Sequence, residues 1–273
     1  MAWGVGWELI GAVSDPRLSR RDTRSVTVYA SVSVFPVMTV PCVAVARERG
    51  ETVRGRLADA GLLDGDHEIA VDGDTIYIPV TDPTGVPNEF TDRIVDAVMA
   101  SAVPCETVLN RASPIEGELR VRRWDILAGN GTETVHREYG HEFLLDVAEV
   151  YFSPRLATER HRVIEQVTPH ESVIDMFAGV GPYAIPMATR EAGVVACDLN
   201  ETAIEYLRKN AERNGVTDRV TAIAGDVREL EASHADTADR LVMNLPHSAN
   251  VFLETAVAIA SDDCVIHYYD IQH

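Results

Sequence analysis

The sequence predicts an α/β fold with a doubly wound sheet over residues 151–273, preceded by two small α+β domains at 38–83 and 84–150. Two observations carry that prediction. The first is Ser172-Val173-Ile174-Asp175-Met176-Phe177-Ala178-Gly179-Val180-Gly181-Pro182-Tyr183, which reads as a short buried strand, a glycine turn and the start of a helix. Gly179 and Gly181 let a ligand approach the backbone closely, and Pro182 suits a first helical turn, where a missing N–H costs nothing. The second is a run of further strands at 193–198, 220–227 and 241–246, each of the first two ending on an acid, Asp198 or Asp226, as the first ends on Asp175. The fourth ends on Asn244-Leu245-Pro246. One acid at a strand end serves as well for a helix N-cap. Three acids and an amide in register line the carboxyl edge of a parallel sheet, where open α/β folds bind ligands.

A Gly-x-Gly turn has many structural uses, and Ala184 at the third glycine position leaves a nicotinamide cofactor open. The pair Asp226 and Asn244 is better explained by S-adenosylmethionine. Asp226 would accept from the adenine amino group, Asn244 would sit beside the transferred methyl, and Asp198 would take the ribose hydroxyls. The whole series resembles the class I methyltransferases.

Composition narrows the setting. The 273 residues carry a net charge of −19, and Lys209 is the only lysine. An acidic, lysine-poor chain fits a halophilic archaeon, because carboxylates hold hydration in concentrated salt and repulsion is screened within about 3 Å at 1 M. Cys42, Cys105, Cys197 and Cys264 are widely spaced without a C-x-x-C, which argues against a disulfide framework or a zinc site and for a reducing cytoplasm. No metal is expected. The uncharged stretch 26–46 is broken by Pro36 and Pro41 and alternates in β-branched residues, so it reads as strand-rich rather than as a membrane span.

In chain order, residues 1–37 stand apart: they hold four arginines against three acids, and two of the three tryptophans, Trp3 and Trp7. They read as an extension ahead of a start at Met38. A strand at 40–45, a helix at 47–60 ended by Gly61, and a hairpin at 69–80 turning at Asp72-Gly73-Asp74 make a small α+β unit. A linker at 82–90 leads to a helix at 91–102 and strands at 106–111, 117–127, 134–139 and 141–146. From Arg111 to Arg162 eight arginines nearly balance nine acids, an island of neutrality that suits an anionic partner. Ser153-Pro154 starts a helix expected to reach Val167, with Glu159 and Arg160 on its first turns.

Four stretches, 146–160 (Asp-Val-Ala-Glu-Val-Tyr-Phe-Ser-Pro-Arg-Leu-Ala-Thr-Glu-Arg), 175–183, Met243-Asn244-Leu245-Pro246 and Ile266-His267-Tyr268-Tyr269, resemble the archaeal and eukaryotic tRNA (guanine-37-N1)-methyltransferase family over roughly 38–273. The resemblance implies a small N-terminal domain, a tRNA-facing middle domain and a class I methyltransferase domain. It implies methylation of guanosine-37 in the tRNA anticodon loop, with S-adenosylmethionine as donor, in a cytoplasmic protein that is a monomer when complete. By the same resemblance, Glu159, Arg120 and Asn244 are the catalytic residues. Arg160, Phe177, Gly179, Gly181, Asp198, Leu199, Asp226, Val227 and Asn244 hold the cofactor, and Arg120, Tyr151 and Pro246 meet the substrate. Arg122 and Arg123 stand near Arg120, and Arg155 is an alternative to Arg160 for the methionine carboxylate. A paralogue in wybutosine synthesis shares Tyr-Phe-Ser and Phe-Ala-Gly-Val-Gly but transfers an aminocarboxypropyl group; Asn244-Leu245-Pro246 resembles the methyltransferases. The family continues past Ile-His-Tyr-Tyr while this sequence stops at His273, so the sheet is expected to lack its last strands and to leave 264–271 as a bare edge. An inactive tRNA-binding fragment is the corresponding alternative.

Overall fold

The computed structural model describes residues 27–32, 42–46, 49–66, 68–72, 75–81, 87–100, 107–113 and 115–270. Trp3, Trp7 and the hairpin turn at 73–74 lie outside them. The chain divides into two compact units, one of Pro36–His161 and one that joins Met1–Phe35 to Arg162–His273.

In Pro36–His161, strands β2 (Cys42–Ala46), β3 (Ala70–Asp72) and β4 (Thr75–Pro79) form an antiparallel sheet in the order β2-β4-β3. Helix α1 (Gly50–Asp59) sets Val53 and Leu57 one turn apart and buries both. Gly61 at φ +67 then reverses the chain, as the sequence predicts. Helix α2 (Pro87–Met99) begins earlier than expected, because Pro87 is accepted at its start. Its Ala97 and Val98 join Leu57, Leu62, Ile78 and Val80 in one hydrophobic cluster, so a single core spans residues on both sides of position 83.

Two antiparallel pairs follow, β5 (Val108–Arg111) with β6 (Trp124–Ala128) and β7 (Glu133–Glu138) with β8 (His141–Asp146). The continuous strand expected over 117–127 is replaced at its start by a turn, closed by the Glu116–Val121 bridge. Gly117 and Arg120 both take positive φ there, +69 and +56, which a strand forbids. Helix α3 (Ala157–Ile164) begins after a 3-10 turn at Pro154–Leu156 and stops short of the expected Val167.

The second unit carries a six-stranded, wholly parallel sheet. Its order is β1 (Thr27–Val32), β13 (Ala260–Asp270), β12 (Ala238–Met243), β9 (Ser172–Asp175), β10 (Gly193–Asp198) and β11 (Val220–Ala224). The chain runs from β9 outward to β11 through α4 (Ala184–Thr189) and α5 (Glu201–Arg213). It then returns across β9 to β12 and β13 through α6 (Glu231–His234) and α7 (Leu253–Ile259). The reversal between β9 and β12 is the crevice of a doubly wound sheet. β9 and β12 are buried along most of their length, as interior parallel strands are. The core gathers Ile174, Met176, Leu241, Met243, Ala256, Ile259 and Ile266.

The bare edge expected at 264–271 is not there in this structure. β1 lies parallel to β13, with Thr27 opposite Val265 and Val32 opposite Asp270, so part of the N-terminal extension satisfies that edge.

Candidate active site

In the sheet unit the strand ends come together at one edge. Asp175 lies opposite Ala196 and Val242 in the ladder, and Asp198 opposite Ala224. The turn after β9 is pinned from two sides: the Ala178 N–H donates to the Cys197 carbonyl at 2.8 Å, and Asn210 Nδ2 donates to the Val180 carbonyl at 3.0 Å. Gly179 and Gly181 adopt φ +53 and +92. A Cβ on Gly181 would stand 2.9 Å from Ile185 Cγ1, so packing as well as backbone conformation demands glycine. Asn210, fully buried on α5, was not singled out by the sequence reading; an asparagine inside a helix carries no signal of what it reaches.

Asp175 is 1% exposed, and neither carboxyl oxygen reaches a hydrogen-bond partner of good geometry among the described residues. Burial pushes its pKa up to about 8; the Phe177 N–H offsets only part of this and the Asp198 charge adds to it. In the sequence Asp175 stands out only as a strand end. Asp198 accepts from the Gly179 N–H at 2.7 Å and from the Asn200 N–H at 2.9 Å; burial raises its pKa and these N–H groups pull the other way. Leu199 beside it is 52% exposed, an apolar side chain offered at the strand end. Val227 is buried.

Asp226 caps the following 3-10 turn and is gripped by Arg228, whose Nε donates to both carboxylate oxygens at 2.9 and 3.0 Å. That contact holds Asp226 below the usual carboxylate range. The Arg228 guanidinium also lies 5.5 Å over the ring of Phe252, which meets Phe177 edge to face at 5.0 Å. Phe177 is therefore half-buried against the core. Asn244 and Pro246 follow β12, both half-buried, in a turn where His247 takes φ +76.

In Pro36–His161, Glu159 stands on the first turn of α3 and is only 6% exposed, which sets it apart from an ordinary solvated helix carboxylate. Arg120 is half-buried on its turn, and burial lowers its pKa while the Tyr151 phenol acts in the opposite direction. Arg120 and Tyr151, both expected at the substrate, are thus electrostatic neighbours. Arg122 instead lies 5.6 Å over the Trp124 ring, and Arg123 is exposed. Arg160 is held by groups of the chain itself. Its Nε and Nη2 donate to the two oxygens of Glu138 at 2.8 and 2.5 Å, and Nη1 donates to the Ser153 carbonyl at 3.0 Å. The guanidinium expected to meet a cofactor carboxylate meets one of the chain's own.

A profile of the TRM5/TYW2 methyltransferase domain matches residues 134–273, and one of the tRNA methyltransferase 5 N-terminal domain matches residues 42–87. The chain belongs to the TRM5/TYW2 methyltransferase family. Among TRM5/TYW2 relatives, the tRNA (guanine(37)-N(1))-methyltransferase Trm5b of Pyrococcus abyssi is 38% identical over 278 residues, 83% of this chain and 83% of that protein. The tRNA(Phe) (4-demethylwyosine(37)-C(7)) aminocarboxypropyltransferase of Pyrococcus horikoshii is 35% identical over 199 residues, 72% of this chain and 69% of that one. A solved complex of aTrm5 with tRNALeu aligns with a TM-score of 0.62 at 29% identity, covering 84% of this chain and 86% of that one. The expected family, its enzymatic class and its fold are borne out. No described helix is long and apolar enough to cross a membrane.

Proposed function

We propose that this chain methylates N1 of guanosine-37 in the anticodon loop of tRNA, with S-adenosylmethionine as donor. The observation that carries the reading is Asn244-Leu245-Pro246 at the end of β12, the strand that neighbours β9 and its glycine turn. The match to Pyrococcus abyssi Trm5b extends further along both chains than the matches to the aminocarboxypropyltransferases, at similar identity, and this supports it.

The carboxyl edge of the sheet fits S-adenosylmethionine. Its glycine turn leaves N–H groups near the ligand, Asp198 offers a carboxylate to ribose hydroxyls, and Asp175 is a buried carboxyl whose oxygens lack hydrogen-bond partners of good geometry among the described residues. Leu199 and Val227 offer apolar surface to a purine, and Asp226 an acceptor for its amino group once Arg228 yields. Bound there, the cofactor supplies a sulfonium methyl. Guanine N1 carries a weakly acidic proton, and its lone pair forms the bond to the methyl carbon as the carbon–sulfur bond breaks toward sulfur. Glu159 takes the proton, a role worth roughly 10²–10⁴ in rate. Negative charge grows on O6, where the Arg120 guanidinium stabilises it, more strongly for being half-buried. Asn244 and Tyr151 orient the base, and Pro246 stiffens the turn that carries Asn244. By this reading the protein acts as a cytoplasmic monomer of a halophilic organism, and its small neighbouring α+β segments present the tRNA.

The test is transfer of labelled methyl to tRNA transcripts carrying guanosine or adenosine at position 37, in molar salt. Labelling of the guanosine transcript alone is expected; equal labelling of both would overturn the assignment. A product mass showing an aminocarboxypropyl group would identify the paralogous chemistry, and tRNA binding without turnover a non-catalytic module. Glu159→Gln is expected to lower turnover by roughly 10²–10⁴ with cofactor affinity unchanged, measured by single-turnover kinetics and calorimetry.

A further inference from the structure

Glu138 and Arg160 form the most deeply buried ion pair among those described, at 4% and 1% exposure. The pair is bidentate, the geometry in which a guanidinium fixes direction as well as distance. It does not stand alone. His136 Nε2 lies 3.2 Å from Glu138 Oε2, and the His136 ring packs 4.8 Å from Phe152. The other side of the cluster is Arg160 itself, 5.2 Å over the Phe152 ring, with its third N–H on the Ser153 carbonyl. Phe152 in turn touches Phe143 of the core, centroids 6.2 Å apart.

The consequence lies in what these residues adjoin. Phe152 and Ser153 follow Tyr151 directly, and Arg160 follows Glu159 on α3. Tyr151 is the electrostatic neighbour of Arg120. One buried carboxylate on β7 therefore holds the segment that carries Tyr151 and the helical turn that carries Glu159. An ion pair this buried is costly to assemble and weak as a source of stability, since an apolar pair of similar volume packs as well. What an apolar pair does not reproduce is a fixed direction.

We propose that Glu138 is a positioning residue for methyl transfer: through its bidentate pair with Arg160 it sets the placement of Glu159 and Tyr151. This rests on the function proposed above. Misplacement of a reacting group by about 1 Å costs on the order of 100-fold in rate. The positioning role therefore predicts a loss in turnover out of proportion to any loss in stability.

The experiment replaces both partners with apolar residues, Glu138→Leu with Arg160→Met, which leaves no unpaired buried charge. The expected result is a melting temperature close to wild type and, at saturating S-adenosylmethionine, a single-turnover rate reduced about 10- to 100-fold with a smaller change in KM for tRNA. A folded double variant with wild-type turnover would overturn the proposal. Should the double variant not fold, Arg160→Lys decides: it keeps charge and burial but loses the bidentate contact. Reduced turnover supports the positioning role and unchanged turnover removes it. The wild-type assay separates the two levels. No methylation by wild type sinks the proposed function, whereas an active wild type with equally active variants sinks the positioning role alone.

Discussion

Arg240 and Asp175, two buried charged side chains of the parallel sheet, are treated in opposite ways. Arg240 of β12 donates through Nε to Glu171 at 2.7 Å, through Nη2 to the Gln166 carbonyl at 3.1 Å, and through Nη1 at 2.7 Å to His267, which lies level with Asp175 in the ladder. Glu171 also accepts from the Thr168 N–H, and Asp239 accepts from the Ser172 N–H. Burial, then the charges of Arg240 and Arg162, pushes the His267 pKa down to about 3, so the ring is neutral and its Nε2 accepts. At the strand ends, Asp175 is as deeply buried yet its oxygens lack partners of good geometry among the described residues. The Arg240 guanidinium, with a partner on each nitrogen, holds the fold together. A buried carboxyl left over awaits something.

The contrast breaks most sharply at Arg240. Arg240→Met leaves the half-buried Glu171 without its charge partner and is expected to cost up to about 3–5 kcal/mol by denaturant unfolding. S-adenosylmethionine affinity should survive in the fraction that remains folded; a large loss of affinity there would show that the Arg240 cluster and the glycine turn are not independent. Next in size is the pH dependence, which has opposite sign at Asp175 and His267. Asp175 has a folded pKa above its ordinary value, so its contribution to stability is complete below about pH 4 and is lost as pH rises toward 8. Asp175→Asn is expected to be more stable than wild type at pH 8, by a few kcal/mol at most, and weaker in cofactor binding. His267 has a folded pKa below its ordinary value, so its contribution is complete above about pH 6.5 and is lost as pH falls toward 3. His267→Gln should flatten that acid limb alone. Thermal melts from pH 4 to 8 check both, and identical profiles for wild type and variants would refute the assignment of either limb. The smallest effect is expected at Asn210→Ala, which strips the Val180 carbonyl of its donor at a cost of about 1–3 kcal/mol. It should also lower cofactor affinity several-fold, because the glycine turn loses its brace.

Much of the sheet unit was legible because its signals are local. Gly193–Asp198 begins and ends where the sequence places it, and so does His141–Asp146 of the other unit. Both are short runs bounded by glycine or a polar turn. The glycine turn after Asp175 was legible because two positive-φ positions were both glycine. The turn carrying Arg120 was not, because an arginine at φ +56 gives no warning, and Val121 to Leu127 reads as strand. The ion pairs were invisible for another reason. Nothing near Glu138 announces Arg160, and nothing near Glu171 announces Arg240; such partners are chosen by the fold after it forms. Arg160 illustrates this, since its neighbours in sequence give no sign of Glu138.

The pairing of β1 with β13 also sets an order of events. The first described strand finds its partner in the last, with almost the whole chain between Thr27 and Val265. Closing so long a loop gains little until everything between is in place, since contacts distant in sequence come late. During synthesis, Pro36–His161 lies wholly inside that loop and emerges before β13 exists. β1 must therefore wait, and the sheet receives its outermost strand as the final step. Pulse-labelled hydrogen exchange during refolding should show the amides of Thr27–Val32 protected after those of Ser172–Asp175.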